Sequence, residues 1–572
     1  MFDCKRMPHR GLQFVSLEIL SDRIRIHTRR DSEGSVSGDI PLQMHGTGAS
    51  FDDPYFQAGL LECVPWSGRC IQTRFTESSF SETERECMMP CPSFSDWRAT
   101  EGTDCVRLET DSLVLRISKS TCALEWRTRE GELLVREPEE GGKWLQKRPV
   151  EKYASDGSAD VVEVQTVDGL KKRLVGGNRI LDRMAYRSLL MLDLAEDEAI
   201  YGMGQHEDGI FNYRYQRQYL YQANMKISIP TLMSSRGYAV HFDHHCLSTY
   251  QGTQEGMQFW SDCVDQLDFY FVYGPEMDDL VKGLRELTGG LPMLPKWAYG
   301  FVQSKERYET QEEICAVVRR YRDEGVPLDG IVLDWESWES ALWGQKSFDA
   351  SRFPDPEGMM EALHDMGVRL MISIWPVMHG DSPDKQEMRE AGFLLDNDAN
   401  YDSSNPEARA LYWRQMNQGL FSKGVDAWWC DCTEPFEADW NGTFPRPDWE
   451  RMNLCVEEFR NFMDPADINT YATRHARGIY EAQRSVTDEK RVVNLTRSAG
   501  PSQQRYGTIA WSGDVEARWS RLRKQIADGL NFVVTGNPRW TFDIGAFFVK
   551  PGVPWFWDGV YPDALEDMGY RE

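Results

Sequence analysis

Seven short apolar runs between residues 298 and 536 constrain this chain more than any other feature. They are AYGFVQSK (298–305), GIVLDW (330–335), RLMISIW (369–375), GVDAWWCD (424–431), RVVNLTRS (491–498), GTIAWSGD (507–514) and NFVVTG (531–536). Near-continuous apolar runs of this length read as strands covered on both faces, the habit of parallel sheets. Between the first two runs, TQEEICAVVRRYRDEGVPLD puts Ile314, Val317, Val318 and Tyr321 on one helical face, with Gly325 placed to stop the helix. Repeated βα units predict a parallel barrel of the TIM type. Residues 376–423 and 436–490 are too long for a loop plus one helix, so insertions at the catalytic face are expected there.

Residues before about 290 follow another pattern. LVLRIS, CALEWRT, YAVHFD and LDFYFVYG are short β-rich runs between Gly, Asp and Ser turns. A large β-sandwich is the expected arrangement. TGGLPMLPKWA, 288–298, carries two glycines and two prolines and reads as a linker. The expected fold class is therefore multidomain, β followed by α/β. A β-sandwich spans 1–292, and a (β/α)8-type TIM barrel, incomplete at its C-terminus, spans 293–572. At 572 residues the chain exceeds what one core can organise.

In a TIM barrel the chemistry stands at the C-terminal ends of the strands. The residues there are Asp334 with Trp335, Trp375, Asp431 with Glu434, Arg497, Trp511 with Asp514, and Trp540 with Asp543 just past the seventh run. These ends carry no histidine and no GxSxG serine. Two carboxylates facing one small cavity are what glycoside hydrolysis requires. Tryptophan faces suit sugar C–H faces, and 15 of the 20 tryptophans lie in 293–572. A net charge of −27 argues against nucleic acid or an anionic membrane as partner and fits a neutral substrate.

At these residues the chain resembles glycoside hydrolase family 31, which includes α-glucosidases and α-xylosidases. GVDAWWCDCTEP (424–435) is similar to the nucleophile region, and NLTRSAGPSQQRYGTIAWSGD (494–514) to the acid/base region. YGFVQSKERYETQEE, VLDWESWES and the segment from FDASRFPDPEGMM to MISIWP resemble the first three barrel strands. YGMGQHEDGIFNYR and IPTLMSSRGYAVHFD resemble the N-terminal β-domain. The resemblance spans about residues 190–560. It implies a retaining α-glycosidase with Asp431 as nucleophile and Asp514 as acid/base, the latter with a raised pKa, and their carboxyls roughly 5–5.5 Å apart. It further implies Asp334 and Arg497 on sugar hydroxyls, Trp335, Trp375, Trp429, Trp511 and Asp543 around the substrate, and Glu434 as a support behind them. No metal or organic cofactor is implied. NYRYQRQYLYQANMKISIP looks most like α-xylosidase-type members, which points to an α-xyloside or α-glucoside.

Family members continue with an eighth strand and a histidine in an R-x-H-like segment, neither of which precedes Glu572. An open barrel is therefore expected, together with three alternatives. One is a catalytically silent carbohydrate-binding protein or inactive fragment. The others are an α-galactoside- or N-acetylgalactosaminide-specific member, and a lyase on the same scaffold. The expected partner is an oligosaccharide or glycoside, with no nucleic acid and no membrane, and oligomerisation left open. Thirteen scattered cysteines without a CxxC pair, and a start without an apolar signal core, predict a cytoplasmic chain of reduced thiols. HFDHHC (241–246) reads as a solvated strand end, and Glu137, Glu139 and Glu140 as a solvated face.

Overall fold

The computed structural model describes residues 12–29, 58–81, 86–154, 156–166, 169–435, 451–452, 455, 460–515 and 517–547. Two antiparallel sheets come first. An eight-stranded sheet runs from Gln13–Ile19 at one edge, through Ala58–Ser67, Cys70–Thr76 and Leu267–Tyr273, to Ile200–Gln205 at the other. A ten-stranded sheet runs from Arg217–Leu220, through Gly256–Val264 and Arg179–Asp193, to Arg98–Glu101. The sheets face one another over a single core. Ile26, Leu61, Phe75 and Phe269 come from the first, and Leu115, Trp126, Leu190 and Phe259 from the second. The Trp126 ring stacks on Phe271 at 4.8 Å, and Phe242 stacks on Phe259 at 3.6 Å, in both cases across the two sheets.

Two surface expectations fail here. His241 and His244 of HFDHHC are buried, hydrogen-bonded through Nδ1 to Thr231 and Ser261 at 2.8 Å each, because the strand Tyr238–Phe242 lies inside the eight-stranded sheet. Glu137 is also buried. It pairs with the buried Lys143 Nζ at 2.7 Å, and burial raises its pKa. A local run of acids does not reveal that one of them has a lysine partner on the next strand.

A seven-stranded sheet follows, all parallel: β1 (Val302–Gln303), β2 (Gly330–Leu333), β3 (Arg369–Ile374), β4 (Ala427–Cys430), β5 (Asn494–Thr496), β6 (Thr508–Trp511) and β7 (Trp540–Thr541). The helices are α1 (Met277–Thr288), before the barrel, then α2 (Gln311–Asp323), α3 (Pro356–Asp365), α4 (Pro383–Glu390), α5 (Pro406–Gly419), α6 (Tyr471–Val486) and α7 (Trp519–Val533). Three of them start on one local signal. Asp355, Ser382 and Asn405 each precede a proline, and each side chain accepts a backbone N–H of the first turn. Such caps satisfy orphan donors, and proline at the first helical position loses nothing. The stretch 376–423 holds α4 and α5. In 436–490 the described part carries α6, and residues 436–450 lie outside the described residues. No α-helix separates β5 from β6, only the 3-10 turn Gln503–Tyr506.

The run NFVVTG is not a strand. Residues 531–533 close α7, with Phe532 packed on Ile227 and Ile229 of the eight-stranded sheet, and β7 begins at Trp540. A short apolar run has no period long enough to separate a buried strand from a buried helix end.

Period two along the barrel strands sorts the side chains. Ile331, Leu333, Leu370, Ile372, Trp428 and Cys430 pack outward against the helices. Val332, Met371, Ala427, Val493, Leu495 and Trp511 pack together on the inner face. Among the described residues, β1 pairs only with β2 and β7 only with β6, so no ladder joins β7 to β1. No helix of the described residues is long and apolar enough to cross a membrane.

Trp126→Ala removes the largest indole between the two facing sheets. It is expected to cost about 3–5 kcal/mol, read as a lower midpoint of the first urea transition. An unchanged midpoint would show that the two sheets do not depend on this shared core.

Candidate active site

The same alternation carries past the strand ends. Val332 points inward, and so does Asp334. Met371 leads to Ser373 and Trp375, Ala427 to Trp429 and Asp431, Leu495 to Arg497, and Ile509 to Trp511. A side-chain period of two fixes this inner set once one member faces in. The result is a cavity of ≈ 1170 Å³ lined by Asp334, Trp335, Trp375, Trp429, Asp431, Arg497, Trp511, Asp514 and Asp543, with Trp343 and Trp540 beside them. Glu434 is fully buried behind Arg497.

Arg497 is the hub. Its Nη1 lies 3.0 Å from Asp431 Oδ1 and 3.2 Å from Asp514 Oδ2. Its Nε donates to Glu434 Oε1 at 3.0 Å, and its Nη2 donates to Glu434 and to the Cys432 thiol. With all three nitrogens engaged, Arg497 braces the carboxylates of two strands. Because one nitrogen touches both, Asp431 Oδ1 and Asp514 Oδ2 are at most about 6.2 Å apart, the sum of the two contacts. Asp431 Oδ1 also accepts the Cys432 N–H at 2.8 Å. The two cysteines of the C-D-C triplet part company. Cys430 packs outward, while Cys432, at φ +49, turns its thiol to Arg497.

Arg497 contacts Asp431, Glu434 and Asp514, and Asp334 and Asp543 line the same cavity. Burial pushes Asp431 up, to about 7, against the pull of Arg497, and Asp514 and Glu434 add to the rise. Asp334 is held well above the usual carboxylate range by burial and then by Asp431. Asp543 is pushed up to about 8 by burial, Asp514 and Asp431. The cavity is therefore a place where carboxyls hold protons near neutral pH.

Its wall is aromatic. Trp343 lies between Trp335 (5.5 Å) and Trp375 (5.1 Å, edge-on), and Trp429 packs against Trp511 at 4.6 Å. Tyr412 of α5 donates to the Trp375 carbonyl at 2.8 Å, and Trp375 Nε1 donates to Ser373. The indole N–H groups of Trp335, Trp343 and Trp511 are buried without an acceptor among the described residues. Buried donors are normally paired, so three on one cavity wall are open to a ligand's oxygens.

Two residues here went unnamed by sequence reasoning. Trp343 sits in the loop after β2, away from any strand end. Asn224 comes from the first domain, in the Gln-Ala-Asn-Met turn before the strand Ile227–Ser234, and donates to Asp514 Oδ2 at 2.8 Å. Strand-end arithmetic cannot find a residue that arrives from another sheet.

Asp334→Asn tests the electrostatics. A carboxyl raised in the folded state binds its proton more tightly there than in the unfolded chain. Its stabilising contribution is full at acid pH and is lost as pH climbs from the unfolded value of 3.8 through the raised folded one. The asparagine variant loses nothing over that window. Its melting temperature relative to the parent should rise between pH 5.5 and 8.5. A difference that stays flat or shrinks would rule out a proton on this carboxyl.

Residues 291–561 match the model of the Glycosyl hydrolases family 31 TIM-barrel domain. Over 365 residues the chain is 38% identical to an α-xylosidase of Saccharolobus solfataricus, covering 62% of this chain and 49% of that protein. Over 544 residues it is 28% identical to an uncharacterized family 31 glucosidase of Pseudescherichia vulneris, covering 90% of this chain and 97% of that protein. The solved family 31 α-xylosidase from Xanthomonas citri superposes with a TM-score of 0.73 at 24% identity, over 91% of this chain and 69% of that one, a likeness of fold. The chain thus spans about half the length of the Saccharolobus relative and nearly all of the Pseudescherichia one.

Proposed function

The chain belongs to glycoside hydrolase family 31 through its barrel of residues 291–561, and on that premise we propose that it is a retaining α-glycosidase acting on terminal α-xylosides or α-glucosides. The observation that carries the reading is the pair Asp431 and Asp514, at the ends of β4 and β6 on either side of β5, sharing one Arg497 nitrogen at the wall of an aromatic cavity. Retaining pairs sit about 5–5.5 Å apart and inverting pairs about 6.5–9.5 Å. A closest approach of at most about 6.2 Å favours the retaining arrangement.

In this mechanism Asp431 attacks the anomeric carbon while Asp514 delivers its proton to the departing oxygen. A covalent β-glycosyl ester on Asp431 results. Asp514, now ionised, takes a proton from water, which displaces Asp431 and restores the α configuration. Arg497 opposes the burial that would otherwise neutralise Asp431. Trp335, Trp375, Trp429 and Trp511 offer ring faces to the sugar, and Asp334 and Asp543 offer partners for its hydroxyls. The preference for xylosides rests on the relatives named α-xylosidases. A second reading is sugar binding without turnover, since the Trp335, Trp343 and Trp511 N–H groups, without an acceptor among the described residues, can hold sugar oxygens whether or not the carboxyls react.

The test is hydrolysis of aryl α-xyloside and α-glucoside. Asp431→Ala should lower kcat by on the order of 10³-fold or more. Proton NMR should show the α-sugar released first. Because Asp431 must be ionised to attack, the acid limb of kcat/KM should be displaced from 3.8 toward about 7. Saturable xylose binding with no turnover on either glycoside would replace this reading with the second one.

A further inference from the structure

We propose that Asn224, supplied by the turn before the strand Ile227–Ser234, is a positioning residue that fixes which oxygen of Asp514 carries the transferable proton. The inference rests on the assignment of Asp514 as acid/base.

One donor in the contact is fixed by its chemistry. The Asp514 backbone N–H donates to the Asn224 side-chain oxygen at 3.3 Å. A backbone amide can only donate, so the Asn224 amide is oriented with Oδ1 toward it and Nδ2 toward the carboxyl. Nδ2 then donates to Asp514 Oδ2 at 2.8 Å. The same oxygen accepts from Arg497 Nη1 at 3.2 Å. Two N–H donors on Oδ2 exclude a hydroxyl proton there. The proton of the acid form therefore sits on Oδ1. In the first step the Asp514 Oδ1–H bond breaks, a new O–H bond forms on the leaving oxygen, and the electrons of the anomeric C–O bond go to that oxygen.

The contact is built into the fold. Asn224 is 1% exposed, and its own carbonyl accepts from Arg451 Nη2 at 3.3 Å. Gly513, at φ +84, lets the Ser512–Asp514 turn reach it, since a Cβ there would come within 2.5 Å of Asn224 Oδ1 and 2.7 Å of the Met225 N–H nitrogen. Among the described residues, the charged and titratable groups acting on Asp514 include Arg497, Asp431, Asp334 and Asp543, with Glu434 acting through Arg497. Arg497 is shared among three carboxylates, whereas among the described residues the Asn224 amide donates to Asp514 alone. A donor on the anion favours the anion. Its removal raises the Asp514 pKa, and replacement by a carboxylate raises it further.

Asn224→Ala and the isosteric Asn224→Asp are compared with the parent and with Asp514→Asn. The basic limb of kcat/KM should move upward by about 0.5–1 pH unit in Asn224→Ala and further in Asn224→Asp. kcat should fall about 10-fold or more on glycosides with poor leaving groups and little on dinitrophenyl glycosides, which leave without a proton. Carboxyl-region infrared difference titration against Asp514→Asn reads the same shift without turnover. If Asp514→Asn shows no leaving-group dependence, the acid/base assignment fails. If it does, and both Asn224 variants keep the parent's basic limb and infrared midpoint, the positioning role is overturned and Asn224 only holds the turn.

Discussion

The candidate site depends on one guanidinium. Asp334, Asp431, Asp514 and Asp543 line one cavity with Glu434 buried behind it, and Arg497 makes direct contact with Asp431, Asp514 and Glu434. Burying an ion costs several kcal/mol unless partners replace its water, and Arg497 meets that condition by using Nε, Nη1 and Nη2 together. It can do so only because β4, β5 and β6 are in parallel register, with Trp428 opposite Asn494 and Asn494 opposite Thr508. That register sets Asp431, Arg497 and the turn to Asp514 side by side above the sheet. A slip of one residue on β5 would turn Arg497 into the outer layer.

The first domain takes part in the same arrangement. Gln205 accepts from the Trp540 indole at 2.6 Å, and the Gly202 N–H donates to Asn531 of α7. Glu207 pairs with Arg521 of the same helix. These contacts seat the strand Ile200–Gln205 and the loop after it against β7 and α7. The turn bearing Asn224 sits next to it, held by the Ala223–Lys226 bridge, with Lys226 hydrogen-bonded to Gln218 at 2.8 Å. The antiparallel sheets therefore reach into the cavity region as well as packing beneath it.

Much of the barrel and its cavity was legible because both rest on period two. Reading the last few residues of five of the apolar runs selected Asp334, Trp375, Asp431, Arg497, Trp511 and Asp514, and all of them line one cavity. The expectation failed where the period was too short or the partner too distant. NFVVTG closes a helix, and its three apolar residues, Phe532, Val533 and Val534, are too few to carry a usable period. Glu137 and His241 and His244 of HFDHHC are buried, with their partners, Lys143, Thr231 and Ser261, on other strands. The raised carboxyls include Asp431 itself, since burial outweighs a guanidinium divided among several anions.

By itself the sequence determined the alternation of strand and helix, the proline-started helices with their Asp355, Ser382 and Asn405 caps, and the set of side chains at the strand ends. Each is a local property, carried by spacing and by the chemistry of adjacent residues. Only the tertiary structure decided that Arg497 would be shared by Asp431, Glu434 and Asp514, that Trp343 would stand between Trp335 and Trp375, and that Asn224 would reach Asp514 from 290 positions away. These contacts join residues that no local period relates, and they form only when two separately patterned sheets pack against each other.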